Sequence, residues 1–169
     1  MRTIGLVAHD NKKKDMVEWC DFNKWTLSQY CLYATGATGE GIIQKTSLNI
    51  QLLKSGPYGG DMEIGSMIAN GKLDCLIFFW DPLESQPHDV DVKAVLRIAV
   101  LYNIPTACNR ATADMIISSS MFNTPSQNIS WDGKLFLFSF HKPSKNRFRI
   151  SISSLQNSKV LFSRSVKWS

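Results

Sequence analysis

Two short segments combine glycine with hydroxyl side chains: Thr35-Gly36-Ala37-Thr38-Gly39 and Ser55-Gly56-Pro57-Tyr58-Gly59-Gly60-Asp61. Thr35, Thr38 and Ser55 offer hydroxyl donors, and the glycines let backbone N–H groups come close to a ligand. Where such a loop meets a helix, its N–H groups make an anion site. Lys13 can add a positive charge. The combination reads as a phosphate cradle. Two tight turns that need glycine would leave the same pattern. Neither segment is a Walker loop, because no Gly-Lys-Ser/Thr follows, and neither fits G-x-G-x-x-G.

Titratable groups stand close to these segments. Asp61 directly follows Gly59-Gly60 at an expected helix start. It can cap that helix, and it can act as a general base beside a phosphate; the two roles are compatible. His88 lies in Asp81-Pro82-Leu83-Glu84-Ser85-Gln86-Pro87-His88-Asp89-Val90-Asp91. A histidine among acids suits an electrophile or proton shuttle, with Asp91 able to orient the ring. A solvated loop histidine beside a helix cap is the plainer reading. His9, followed by Asp10 at the end of an expected strand, reads as a site residue rather than a core one. The three histidines lack metal-ligand spacing, and Cys20, Cys31, Cys75 and Cys108 contain no C-x-x-C pair. No metal site is expected, and Cys75, inside an apolar run, reads as an inert core thiol.

These groups need a frame that brings them together. Residues 3–8 form a short apolar run suited to a buried parallel strand. Asp10 is a plausible cap for a helix over residues 12–22. Further strands are expected at residues 30–34, 49–53, 73–80 and 104–108, with helices at 42–46, 61–70, 90–102 and 111–119. Residues 35–39 are read as a loop. Strands alternating with helices predict an open parallel sheet covered on both faces, a three-layer α/β/α sandwich. Loops at the carboxyl ends of parallel strands converge on one edge, and those loops hold His9, Asp10, Thr35, Gly36, Thr38, Asp81, His88 and Asn109.

At 169 residues the chain can bury a full core. No apolar run reaches the roughly 18 residues that cross a bilayer, so no membrane partner is expected. The opening run is too short for a signal peptide, which points to the cytoplasm. The net charge of +5 is unevenly placed. Residues 1–120 carry 11 Lys/Arg and 13 Asp/Glu, a net of −2, whereas residues 121–169 carry 8 and 1, a net of +7. A nucleic-acid partner would rest on this basic tail alone and is not expected.

Taken in order, Leu6-Val7-Ala8-His9-Asp10, Tyr33-Ala34-Thr35-Gly36-Ala37-Thr38-Gly39, the Ser55–Asp61 segment, Phe78-Phe79-Trp80-Asp81-Pro82, Pro87-His88-Asp89-Val90-Asp91-Val92-Lys93-Ala94 and the stretch from Asn103 to Asp114 closely resemble bacterial methylglyoxal synthase. The resemblance covers residues 3–123. It implies a five-stranded α/β/α sandwich, a homohexamer, and no metal or organic cofactor. It implies dihydroxyacetone phosphate as substrate, with inorganic phosphate as product and allosteric inhibitor. By the same resemblance Asp61 is the catalytic base, removing a proton from C3. His88 binds the substrate oxygens and polarises the carbonyl, and Asp10, Asp81 and Asp91 are supporting acids. Lys13, Thr35, Gly36, Ala37, Thr38, Ser55 and Gly56 match phosphate-binding positions, and His9 a substrate-binding one. Domains of this type also serve as regulatory ligand-binding modules inside larger enzymes. Such a module needs the cradle but not Asp61, His88 and Asp91.

Two departures stand out. Position 37, usually threonine in the family, is Ala37, which leaves the cradle one hydroxyl short. After Asn123 the resemblance stops, and residues 124–169 form a serine-rich basic extension. It reads either as an arm for polyanions or other subunits, or as a segment foreign to the fold. The catalytic domain is therefore placed at residues 1–123.

Overall fold

The computed structural model describes residues 1–83 and 89–123, without the side chains of residues 89–91 and 123. The extension at residues 124–169 lies outside the described residues. Five strands form one sheet: β1 (Thr3–Ala8), β2 (Cys31–Thr35), β3 (Ile50–Leu53), β4 (Cys75–Phe79) and β5 (Thr106–Ala107). Their order is β3-β2-β1-β4-β5, and every pairing is parallel. Six helices accompany them: α1 (Lys13–Phe22), the single turn α2 (Lys24–Leu27), α3 (Gly36–Thr46), α4 (Gly60–Ala69), α5 (Asp89–Leu101) and α6 (Arg110–Ser118).

The apolar runs become strands because both of their faces are covered. β4 is buried at all five positions. Alternate residues feed different cores, as the two-residue side-chain period requires. Ile4, Leu6, Ala8, Ile77 and Phe79 join Met16, Trp19, Ile42 and Ile117, from α1, α3 and α6. Val7, Leu76 and Phe78 join Ile64, Ile68, Val92, Val95 and Ala99, from α4 and α5. Trp19, fully buried, donates its indole N–H to Asp114 Oδ1 at 2.7 Å, tying α1 to α6. The sheet with these two helical layers is the expected three-layer α/β/α sandwich.

The chain builds outward from β1 through β2 to β3, then crosses over to β4 and β5. The order reverses between β1 and β4. Ligand crevices of open parallel sheets lie at that switch point, outside the carboxyl ends of the strands.

Two local expectations need correction. The helix expected at residues 42–46 begins at Gly36, so residues 36–39 are its first turn and not a loop. The glycines and hydroxyls there look like turn signals, but β2 feeds straight into the helix at Thr35, which occupies the cap position. Asp10 does not cap α1. It opens a 3₁₀ turn over Asp10–Lys12 that precedes the helix.

Candidate active site

The four carboxyl ends of β1 to β4 carry almost all of the polar residues singled out above. At the end of β2, the first turn of α3 presents N–H groups that have no partner within the helix. Thr35 and Ser55 occupy cap positions without spending their hydroxyls on a capping bond. Thr35 is 5% and Thr38 1% exposed, so both hydroxyls are buried against the cavity. Gly36 lets the two glycine segments meet. A Cβ there would lie 2.7 Å from Ser55 Cβ and 2.9 Å from Ser55 Cα. Only glycine allows the α3 N-terminus and the Ser55 turn to form one wall.

The Ser55 turn is held by its own backbone. Tyr58 N–H and Gly60 N–H both donate to the Ser55 carbonyl, at 2.9 and 3.1 Å. Gly60 starts α4, and a Cβ on it would stand 2.1 Å from the Lys54 carbonyl oxygen, so no other residue fits. Lys54 N–H donates to Glu63 Oε2 at 2.9 Å. This packing fixes Asp61 within the first turn of α4, where Gly59 and not Asp61 holds the cap position. The Asp61 carboxylate lies against Gly56: a Cβ on Gly56 would be 3.4 Å from Asp61 Oδ2. Of the two roles open to Asp61, the cap is not taken up.

At the end of β1, His9 N–H donates to the Phe79 carbonyl at 3.1 Å, and the His9 ring stands edge-on to Phe78. Lys13 Nζ contacts Asp10 Oδ1 at 2.6 Å. That hydrogen bond, with the ammonium charge, holds the Asp10 carboxyl below the usual carboxylate range. Asp81, 8% exposed, accepts from Leu83 N–H at 3.0 Å and from Asn11 Nδ2 at 3.2 Å. These two donors lower its pKa, the Leu83 N–H most.

One cavity of about 140 Å³ collects the set. That is far below the roughly 300–1,000 Å³ of pockets for drug-sized ligands, and it suits a compact one. His9, Asp10, Lys13, Thr35, Ala37, Thr38, Ser55, Gly56 and Asp61 all line it. Gly36 does not; it acts one layer back, under Ser55. Asp81 does not line it either, and its position is behind His9. His88 lies outside the described residues, and Asp91 is placed on α5 by its backbone alone. The sequence reading missed the apolar side of the cavity: Val7, Ile64, Phe78, Val92 and Val95. The continuous apolar runs of β1 and β4 marked Val7 and Phe78 as buried but not as cavity lining. It also missed Asn11, for which no local signal existed. Among the described residues no group of three His, Cys, Asp or Glu gathers as a metal site would require. Cys75 is fully buried, and burial pushes its thiol up to about 12.

A helix N-terminus with flanking hydroxyls, a carboxylate and an imidazole thus share one small cavity at a sheet switch point. A family model described as the MGS-like domain matches residues 15–108. The chain belongs to the MGS-like domain family. Its similarity within the family is to named enzymes. It is 52% identical over 120 residues to methylglyoxal synthase of Hahella chejuensis, covering 71% of this chain and 78% of that protein. It is 57% identical over 122 residues to methylglyoxal synthase of Leptospira interrogans, covering 72% and 82%. The crystal structure of methylglyoxal synthase from Elizabethkingia anophelis matches with a TM-score of 0.70 and 50% identity, over 73% of this chain and 81% of that one. At that identity the MGS-like fold is shared.

Proposed function

We propose that this chain is a methylglyoxal synthase, a lyase that converts dihydroxyacetone phosphate to methylglyoxal and inorganic phosphate. The observation that carries the reading is Asp61 on the same small cavity as the N-terminus of α3, Thr35, Thr38 and Ser55. A base and an anion cradle within one triose-sized space fit proton abstraction coupled to phosphate departure. The N–H groups of α3, the hydroxyls and Lys13 hold the phosphate and stabilise the charge that grows on it. Asp61 takes a proton from C3, next to the carbonyl, giving an enediolate phosphate. Its electrons move in to expel phosphate from the carbon on the other side of the carbonyl. The resulting enol becomes methylglyoxal. His88, with Asp91 orienting it, polarises the carbonyl, and His9 binds the substrate. The apolar wall of Val7, Ile64, Phe78, Val92 and Val95 keeps water out, which strengthens each of these contacts.

The same reading places the catalytic unit at residues 1–123, in a cytoplasmic homohexamer that inorganic phosphate inhibits allosterically. The likeness to methylglyoxal synthases supports it. The test is formation of methylglyoxal from dihydroxyacetone phosphate by the full-length chain. Turnover is expected, with Asp61→Asn reduced by several orders of magnitude in kcat and still binding phosphate. Phosphate binding without turnover in the unaltered protein would instead identify a regulatory ligand-binding module.

A further inference from the structure

His9 is the one histidine among the described residues, and its Nδ1 is engaged by a residue that does not line the cavity. Asp81 backbone N–H donates to His9 Nδ1 at 3.2 Å. A nitrogen that accepts an N–H carries no proton, so the ring proton sits on Nε2, the nitrogen left for the cavity. Asp81 is held in turn. Its Oδ1 accepts from Leu83 N–H two residues on in the same loop, and its Oδ2 from Asn11 Nδ2 across the switch point between β1 and β4. Each carboxylate oxygen is engaged by a protein donor, the side chain is 8% exposed, and Asp81 does not line the cavity. Asn11 is exposed on the 3₁₀ turn beside Asp10.

We propose that Asn11 and Asp81 are a positioning pair that fixes His9 as a neutral imidazole with its proton on Nε2, donating to the bound substrate. Asp81 thereby acts through its backbone N–H and its place in the loop, not as a proton carrier. The inference rests on the reading of the cavity as the site of dihydroxyacetone phosphate conversion. Its geometric part, the tautomer, stands apart from turnover.

The test is an exchange of the two side chains. Asp81→Asn sets an amide group against the Asn11 amide, and Asn11→Asp sets two carboxylates together. Each is expected to lower kcat/KM by about tenfold or more, the scale of one hydrogen bond to a charged group. The double variant Asn11→Asp/Asp81→Asn restores the link with its polarity reversed, and recovers most of the loss. If the double variant is as poor as Asp81→Asn, the carboxylate at 81 is itself required and the proposal is overturned. Nitrogen-15 spectra of histidine-labelled full-length protein give the second readout, with His9→Gln assigning the signal. A His9 ring protonated on Nε2 alone at neutral pH supports the proposal even if no methylglyoxal is formed. A proton on Nδ1 overturns it. Asn11→Ala, at an exposed position that spares the core, should let the His9 ring exchange between tautomers; an unchanged spectrum and unchanged kcat/KM would also overturn it.

Discussion

Gly36→Ala is the smallest change that tests whether the two glycine segments form one site. The added methyl would stand 2.7 Å from Ser55 Cβ, 2.9 Å from its Cα and 3.0 Å from its N, whereas ordinary contact begins at 3.4 Å. Two of those three neighbours are backbone, so no side chain can rotate out of the way. The wall between α3 and the Ser55 turn has to open by about 0.7 Å. Overpacking of this kind costs roughly 1–3 kcal/mol. Replacing glycine in a helix returns up to about 1 kcal/mol, less in the first turn than in the middle. The net loss of stability should therefore stay below about 3 kcal/mol and leave the protein folded. The kinetic effect is larger. A misplacement near 1 Å can cost about 100-fold, and here it separates the α3 N–H groups from Ser55, Gly56 and, through them, Asp61. We expect kcat/KM for dihydroxyacetone phosphate to fall by roughly 10- to 100-fold, with inhibition by phosphate weakened in parallel. Methylglyoxal formation, phosphate inhibition and a thermal melt on the same preparation decide the matter. A folded variant with unaltered kcat/KM and unaltered phosphate inhibition would show that the two segments do not act together, and would refute the cradle.

Three further expectations follow from the same geometry. Ala37→Thr restores a hydroxyl donor at the cavity and should lower both KM and the phosphate inhibition constant by about 2- to 12-fold, the value of a 0.5–1.5 kcal/mol hydrogen bond; steady-state kinetics with and without phosphate will read both. Asp10 titrates below its ordinary value of 3.8 because of Lys13, so its contribution to stability is present above that value and is lost as pH falls through the lower folded one. The stability difference between the unaltered protein and Asp10→Asn should accordingly begin to shrink as pH falls below about 3.8 and vanish only below the lower folded value; a difference that did not change with pH across that range would contradict the ion pair. Cys75, buried and with its thiol pushed up to about 12, should resist alkylation at neutral pH until the protein unfolds, as mass spectrometry across a denaturant series will show.

The sequence made the sheet and most of the cavity legible because both leave local marks. A parallel strand covered on two faces must be apolar throughout, so β1 and β4 announced themselves, and their carboxyl ends located His9, Asp10 and Asp81 without any structure. What the sequence hid is contact between residues far apart along the chain. Gly36 and Ser55 lie 19 positions apart, and their close approach, at which a Cβ added to Gly36 would stand 2.7 Å from Ser55 Cβ, leaves no pattern beyond a glycine that many turns would also use. Asn11 and Asp81, 70 positions apart, carry no joint signal at all. The start of α3 was misplaced for a related reason. Glycine and threonine favour turns by propensity, and the direct passage from β2 into a helix overrode it.

On the proposed reaction, that passage would let one set of groups serve both the binding and the departure of phosphate. In that reaction the N–H groups of α3 would face a phosphate ester before the bond breaks and inorganic phosphate after it. A donor that grips both equally lowers KM without speeding the chemical step. A donor that grips more tightly as the leaving oxygen gains charge lowers the barrier itself. Thr38, buried beside the helix N-terminus, would suit the second kind of work on this reading, whereas position 37, exposed on the first turn, would suit the first. Alanine at 37 therefore gives up affinity for substrate and product together. Product leaves more readily for the same reason that substrate binds more weakly. On this reasoning the missing hydroxyl should shift the working range of the enzyme towards higher concentrations of both, while the rate at saturation stays close to that of the threonine variant.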